Sequence, residues 1–242
     1  MVIDIHSHIL PGIDDGSKNM KETLEMLSMA EKEGIQGMVA TSHYEAGLGI
    51  EWSRQYRKAY DDVLENIRKH HIQLQLYVGN EIYYSESIIE ALQKEEVHTV
   101  NETRYVLIEF PVYADYMYIE RALRNIQYAG YWPILAHVER YESLRDLKCV
   151  ETLADMNICI QMNADSVIRK KDLSTRRFCR KVLKNHLVDV LATDTHGSRH
   201  RKPEIQTCFS YIDKKLGKSY RYLISEKNPQ KIIKGEKISW KK

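Results

Sequence analysis

The chain has no apolar run approaching the ~20 residues that a membrane-spanning helix needs. Its opening, Met-Val-Ile-Asp-Ile-His-Ser-His, lacks the basic segment and apolar stretch of a signal peptide. A soluble, cytoplasmic protein is therefore expected. Cysteine is sparse: Cys149, Cys159, Cys179 and Cys208 form no C-x-x-C pair and are read as reduced thiols. None is followed six residues later by arginine, so the thiolate-and-arginine loop of cysteine phosphatases is absent. There is no G-x-G-x-x-G or Walker-type loop, and with it no dinucleotide or P-loop site. Thirty-six basic residues against 34 acidic leave a net charge of +2, too little to recruit nucleic acid or an anionic membrane through a global field. No Pro/Gly/Ser linker, low-complexity stretch or fixed-period repeat divides the chain. Residues 1–242 are expected to form one domain, with 43% hydrophobic residues for its core.

What is present is an alternation of short apolar runs with longer amphipathic ones. Strands are predicted at Val2–Ile9, Gly37–Thr41, Leu74–Ile82, Tyr105–Phe110, Pro133–Val138, Ile158–Asn163 and Val188–Thr193. Helices are predicted at Met20–Glu33, Arg54–His70, Ser87–Lys94, Tyr116–Ala129, Leu144–Met156, Leu173–Lys184 and Pro203–Leu216. The first places Met20, Leu24, Leu27 and Ala30 on one face and stops at Gly34. The charged tail Tyr220–Lys242 is expected to hold a short helix around Asn228–Ile233. Such a rhythm favours an α/β fold with parallel strands under covering helices, and an open doubly wound sheet fits it as well as a barrel.

Six of these strands end in metal-ligand chemistry. His6 and His8, two apart on a strand, share a face and can grip one ion; Asp194 and His196 repeat the spacing at the last strand. His43, Glu81, Glu109 and His137 each stand where an apolar run stops, and Asp15 lies in a Gly-Ile-Asp-Asp-Gly turn that could fold over the mouth. That end of the strands is where parallel α/β folds place their sites. A lone histidine there is usually a satisfied one, but six strands agreeing point to a shared metal cluster. Five imidazoles and four carboxylates, without thiolate, suit Mn²⁺, iron or Zn²⁺, and nine donors suit two or three ions with Glu81 bridging. Such ions would leave the site slightly positive, fit for a phosphate dianion and for activating water. Arg140 and Arg201 follow closely and are candidate phosphate clamps. His70, His71, His98 and His186 are read as solvated or structural, while His200 could reach the mouth.

The motifs D-I-H-S-H, D-D-G, T-S-H, G-N-E, L-I-E-F-P, A-H-V-E-R and T-D-T-H, in that order across nearly the whole chain, resemble the polymerase and histidinol phosphatase (PHP) superfamily. Within it they are most similar to the CpsB/YwqE-type manganese-dependent protein-tyrosine phosphatases of capsule and exopolysaccharide operons. The resemblance implies a distorted seven-stranded (β/α)7 barrel with the metal site at the C-terminal ends of its strands. It implies three divalent ions, usually Mn²⁺: His6, His8, Glu81 and Asp194 on the first, Glu81 bridging to a second beside Glu109 and His137, and Asp15, His43 and His196 on the third. Arg140 and Arg201 match the phosphate-binding arginines, and Asp4 is placed to orient a ligand from behind. The implied reaction is direct attack on phosphorus by a hydroxide held between ions, without a phosphoenzyme. The implied partner is the phosphotyrosine tail of a membrane-associated bacterial tyrosine kinase. Ser42 and Tyr44 depart from the pattern, where proline and a second histidine are common, and bear on substrate contacts rather than on metal. The rival expectations are a histidinol-phosphate or other small-molecule phosphomonoesterase, an amidohydrolase or TatD-type hydrolase, and a metal-stabilised phosphotyrosine-binding scaffold without turnover.

Overall fold

In the computed structural model, which describes residues 1–169 and 171–238, the alternation is present. The strand segments are β1 (Ile3–Ser7), β2 (Gly37–Ala40), β3 (His43–Tyr44), β4 (Gln75–Val78), β5 (Glu81–Tyr83), β6 (Tyr105–Glu109), β7 (Trp132–Leu135), β8 (Cys159–Asn163) and β9 (Val190–Ala192). Their ladders run in the orders β1-β2-β4 and β3-β5-β6-β7-β8-β9, and each pairing is parallel. The sheet curls until β9 returns to β1: Ser7 bridges Thr195 in parallel, the His8 amide donates to the Thr195 carbonyl and the Asp194 amide to the His6 carbonyl, both at 2.9 Å.

One expectation needs correction. Leu74–Ile82 is not a continuous strand but β4 and β5, which belong to different ladders. The cause is the Tyr56 hydroxyl, wedged between the ends of β2 and β4. It lies 2.8 Å from the carbonyls of Ala40 and Gly79 and accepts from the Gly79 amide at 3.2 Å. Gly79 also lets the chain pass close beside β2, since a Cβ there would stand 2.7 Å from Val39 Cγ1. The same interruption makes β3 a separate segment, which the sequence pattern did not indicate.

The helices are α1 (Met20–Lys32), α2 (Gly49–Lys69), α3 (Ile88–Gln93), α4 (Tyr116–Tyr128), α5 (Leu147–Asp155), α6 (Ala164–Ile168), α7 (Leu173–Lys184), α8 (Gln206–Lys215), α9 (Lys218–Tyr222) and α10 (Asn228–Ile233). Side-chain caps at Asn19, Asp115, Asp146 and Asp172 satisfy backbone amides at the starts of α1, α4, α5 and α7. The inward face of α1 is Thr23, Met26, Leu27 and Ala30; Met20 and Leu24 are only half-buried. The short α6 and α9 were not expected, and the tail's last four residues lie outside the described ones. No helix among the described residues is long and apolar enough to cross a membrane.

Two apolar clusters result. The larger packs the helices onto the sheet. The smaller joins Ile3, Ile5, Val39, Leu107, Ile134 and Val190 to Ile232 and Ile233 of α10 and to Ile238. Asn101 Nδ2 holds the Ile233 carbonyl at 2.8 Å and the Ile238 amide donates to the Tyr105 hydroxyl at 3.0 Å, tying the tail across the sheet.

Candidate metal centre

β1 delivers His6 and His8 with their ring orientations already set. His6 Nδ1 lies 3.2 Å from Gln161 Oε1, an oxygen that also accepts from the His137 amide at 2.6 Å. His8 Nδ1 lies 2.8 Å from Asp14 Oδ2. Each Nδ1 therefore faces an acceptor oxygen, which leaves Nε2 as the atom each ring can turn to a metal ion. These Nε2 atoms are 3.2 Å apart, and each is 3.1 Å from Glu81 Oε2. Two ring nitrogens and a carboxylate oxygen at that spacing need positive charge among them, which a proton supplies in part and a divalent ion in full.

Glu81, on β5, is the hub. Oε2 also lies 3.2 Å from His43 Nδ1, and Oε1 lies 2.7 Å from His137 Nε2. Glu109, at the end of β6, reaches His137 Nε2 at 3.2 Å. Asp194 Oδ1 is 3.4 Å from His6 Nε2 and 3.5 Å from His196 Nδ1. Asp15 is 66% exposed, yet its Oδ1 lies 3.4 Å from His43 Nε2 and 3.3 Å from His196 Nε2, so the turn does fold over the mouth. That turn is shaped by Gly16, where a Cβ would stand 2.2 Å from the His8 carbonyl oxygen. Three donor groups converge, each with its atoms within 4.8 Å of one another: His6, His8, Glu81 and Asp194; His8, Asp15, His43 and His196; and His43, Glu81 and Glu109. All nine residues singled out from the sequence thus meet at one rim. His137 stands against Glu81 and Glu109 rather than within a convergent group.

The electrostatics demand positive charge. Burial opposes ionisation of Glu81, but His6, His137 and His8 outweigh it and hold its carboxyl well below the usual range. For Asp194, burial is likewise overcome, by His6 and Arg140. Burial disfavours charge on His8, yet Asp14 and Glu81 push it up to about 10; Glu109 and Glu81 similarly lift His137 to about 9. His196, desolvated and beside His8, falls to about 3. Glu81 Oε2, Asp194 Oδ1 and His196 Nε2 are buried without a hydrogen-bond partner among the described residues. Oxygen and imidazole donors left over at one place fit divalent metal ions.

Arg140 and Arg201 meet on Asp194 Oδ2; Arg201 Nη2 is 2.6 Å away. Both remain about one-third exposed. His137, Asp194 and Arg201 have φ of 31°, 54° and 49°, a left-handed backbone that costs roughly 1–2 kcal/mol per residue and aims each side chain at the rim. Asp4 is fully buried and accepts from the Thr193 hydroxyl at 2.5 Å and the Thr193 amide at 3.0 Å, steadying the residue before Asp194. Burial pushes its carboxyl up to about 6 against those hydrogen bonds. His200 lines an adjoining cleft outside the nine. Ser42 and Tyr44 are wholly buried, Tyr44 against Trp52, so the expectation that they alter substrate contacts is withdrawn.

Sequence reasoning missed three supports. Asp14 holds His8 and accepts from the His43 amide at 3.0 Å. Gln161 orients His6 and His137, and Asn163 Nδ2 donates to Asp194 Oδ2 at 2.7 Å. The signal was available: Gln161 and Asn163 are polar residues at i and i+2 in an apolar run, as His6 and His8 are.

A parallel sheet curled on itself, with imidazoles and carboxylates converging at one rim, defines a metal-binding α/β protein. More narrowly, residues 2–234 match the CpsB/CapC family of capsular polysaccharide synthesis, and the chain belongs to that family. It is 34% identical to the tyrosine-protein phosphatase CpsB of Streptococcus pneumoniae over 98% of this chain and 100% of that one. It is 28% identical to the tyrosine-protein phosphatase YwqE of Bacillus subtilis strain 168, over 98% and 93%. A solved structure from work on YwqE and CpsB, described as unique metal-dependent tyrosine phosphatases, superposes with a TM-score of 0.91 at 27% identity, covering 99% of this chain and 97% of that one.

Proposed function

We infer that the protein is a metal-dependent tyrosine phosphatase that hydrolyses the phosphomonoester of phosphotyrosine. The observation that carries this is the buried set of imidazole and carboxylate donors converging around Glu81, which fits divalent cations, with two guanidinium groups at its edge. His6, His8, Asp15, His43, Glu81, Glu109, His137, Asp194 and His196 are the proposed ligands of three divalent ions, Mn²⁺ ahead of iron or zinc. The strands carrying them are proposed to make a distorted seven-stranded (β/α)7 barrel, β2 with β3 and β4 with β5 each counting as one interrupted strand, in a single domain.

Bound ions supply Lewis acidity and bring the pKa of the attacking water toward neutrality. The polypeptide does the rest. Gln161 and Asp14 keep the His6 and His8 protons on Nδ1, leaving Nε2 for coordination. Arg140 and Arg201 present planar forks that match phosphoryl oxygens and offset the charge developing in in-line displacement. Among the described residues the rim's convergent donor groups contain no cysteine and each of their histidines is a proposed ligand, and the trapping of a phosphoenzyme would overturn direct displacement.

The mouth is open, with Asp15 exposed and His43, Arg140 and Arg201 each about one-third exposed. That suits a flexible peptide better than a small molecule needing enclosure, and favours the cytoplasmic tyrosine-rich tail of a kinase governing capsule or exopolysaccharide synthesis. The test sets a phosphotyrosine peptide beside histidinol phosphate, with Mn²⁺ and with chelator. Mn²⁺-dependent phosphate release with the higher kcat/KM on the peptide is expected. A preference for histidinol phosphate would reassign the substrate.

A further inference from the structure

Beside Asp194 the rim opens into a cleft of about 750 Å³ whose wall includes Arg140, Arg201, Arg145, Arg169, Arg199 and Asp172. A phosphoryl group has the bulk of a few water molecules, at roughly 30 Å³ each, and fills only a small part of it. The cleft's cations are not equally engaged. Arg140 and Arg201 meet Asp194, Arg169 pairs with Asp165 and Lys202 lies 3.7 Å from Glu204. Arg145 and Arg199 form no ion pair within 4 Å among the described residues. Of the remaining acids in the wall, Asp172 is committed as the cap of α7, accepting from the Thr175 amide at 2.9 Å. Glu139 is buried with Oε1 on the Asn163 amide at 3.1 Å.

Arg145 is held ready. Its guanidinium lies 4.9 Å over the Phe178 ring, Nη2 donates to Thr175 Oγ1 at 3.0 Å, and Nη1 is buried without a hydrogen-bond partner among the described residues. A positioned guanidinium in the cleft wall, with no carboxylate of the described residues pairing its charge, attracts a carboxylate or phosphate. We propose that this cleft is a second-anion subsite: with one phosphoryl group at the metal rim, Arg145 and Arg199 receive a second anionic group of the same peptide. The preferred substrate class is then a phosphotyrosine segment flanked by acidic residues or by another phosphotyrosine. This rests on the tyrosine phosphatase assignment.

The experiment compares kcat/KM of the Mn²⁺-loaded full chain on three peptides. Each carries one hydrolysable phosphotyrosine, with alanine, glutamate, or a non-hydrolysable phosphonate analogue of phosphotyrosine as neighbour. A preference of roughly 5- to 50-fold for an anionic neighbour is expected, and the glutamate and phosphonate arms tell a carboxylate site from a phosphate site. The ratio should collapse toward one in Arg145→Gln and shrink in Arg199→Gln, whose exposed side chain leaves packing untouched should the first variant fold poorly. Equal kcat/KM on all three peptides, or a ratio unchanged in both variants, would overturn the subsite and leave the phosphatase standing. Absence of hydrolysis of every peptide would instead overturn the phosphatase assignment and the subsite with it.

Discussion

Along β6 one face carries Tyr105, Leu107 and Glu109, and along β8 one face carries Cys159, Gln161 and Asn163. Each series starts in the apolar cluster beneath the tail and finishes in the polar rim. The two ends of the same strands thus do opposite thermodynamic work. At the floor, Ile3, Ile5, Val39, Leu107 and Ile134 close against Ile232, Ile233 and Ile238, and apolar burial there stabilises at about 25 cal/mol per Å². At the rim, Glu81, His137 and Asp194 are buried ionisable groups, whose desolvation costs several kcal/mol per ion unless a partner offsets it. A floor that stabilises can carry a rim that waits for its cations.

The sharpest way to break this contrast is at the rim itself. Asp194→Ala should lower turnover at least about a thousandfold, with circular dichroism and metal content measured alongside; a folded variant retaining a tenth of wild-type activity would remove the rim from the chemistry. Arg140→Ala should cost about 100- to 1,000-fold in kcat/KM, and Arg140→Lys should recover only part of it because an ammonium lacks the fork. Full recovery with lysine would reduce Arg140 to a point charge. Gln161→Leu, which removes the acceptor of His6 Nδ1 and of the His137 amide, should weaken metal affinity or activity about 10- to 100-fold, read by metal titration. The smallest effect on turnover belongs to the floor. Ile232→Ala should lower unfolding free energy by about 2–5 kcal/mol while kcat per folded molecule stays the same. Should kcat drop with stability unaltered, floor and rim would not be separable. Mn²⁺ at 100 times its dissociation constant should add about 2.7 kcal/mol to either protein, seen as a rise in melting temperature.

Much of the centre was legible because its signals are local. A histidine two residues from another on a strand, or a carboxylate closing an apolar run, declares its face and its end from neighbouring residues alone. The supports were harder to see for two reasons. Asp14 lost attention to its neighbour Asp15, although Asp-x-Gly turn chemistry marks residues whose carboxylates bond nearby amides; Asp14 Oδ1 takes the Gly16 amide at 2.9 Å. Gln161 and Asn163 carry no charge and so did not stand out in β8. The division of Leu74–Ile82 could not be read at all, since its cause, the Tyr56 hydroxyl, sits 23 residues from Gly79.

Local sequence by itself determined the order of strands and helices, which residues could serve as ligands, and at which strand ends they stand, because alternation and side-chain chemistry act over a few residues. Only the tertiary structure decided that they share one rim, which nitrogen each histidine offers, and that Arg140 and Arg201 close on Asp194. Those outcomes hang on contacts such as His6 with Gln161 across 155 residues and Thr193 with Asp4 across 189. Chain closure over such spans is governed by the curl of the whole sheet, which no short stretch encodes.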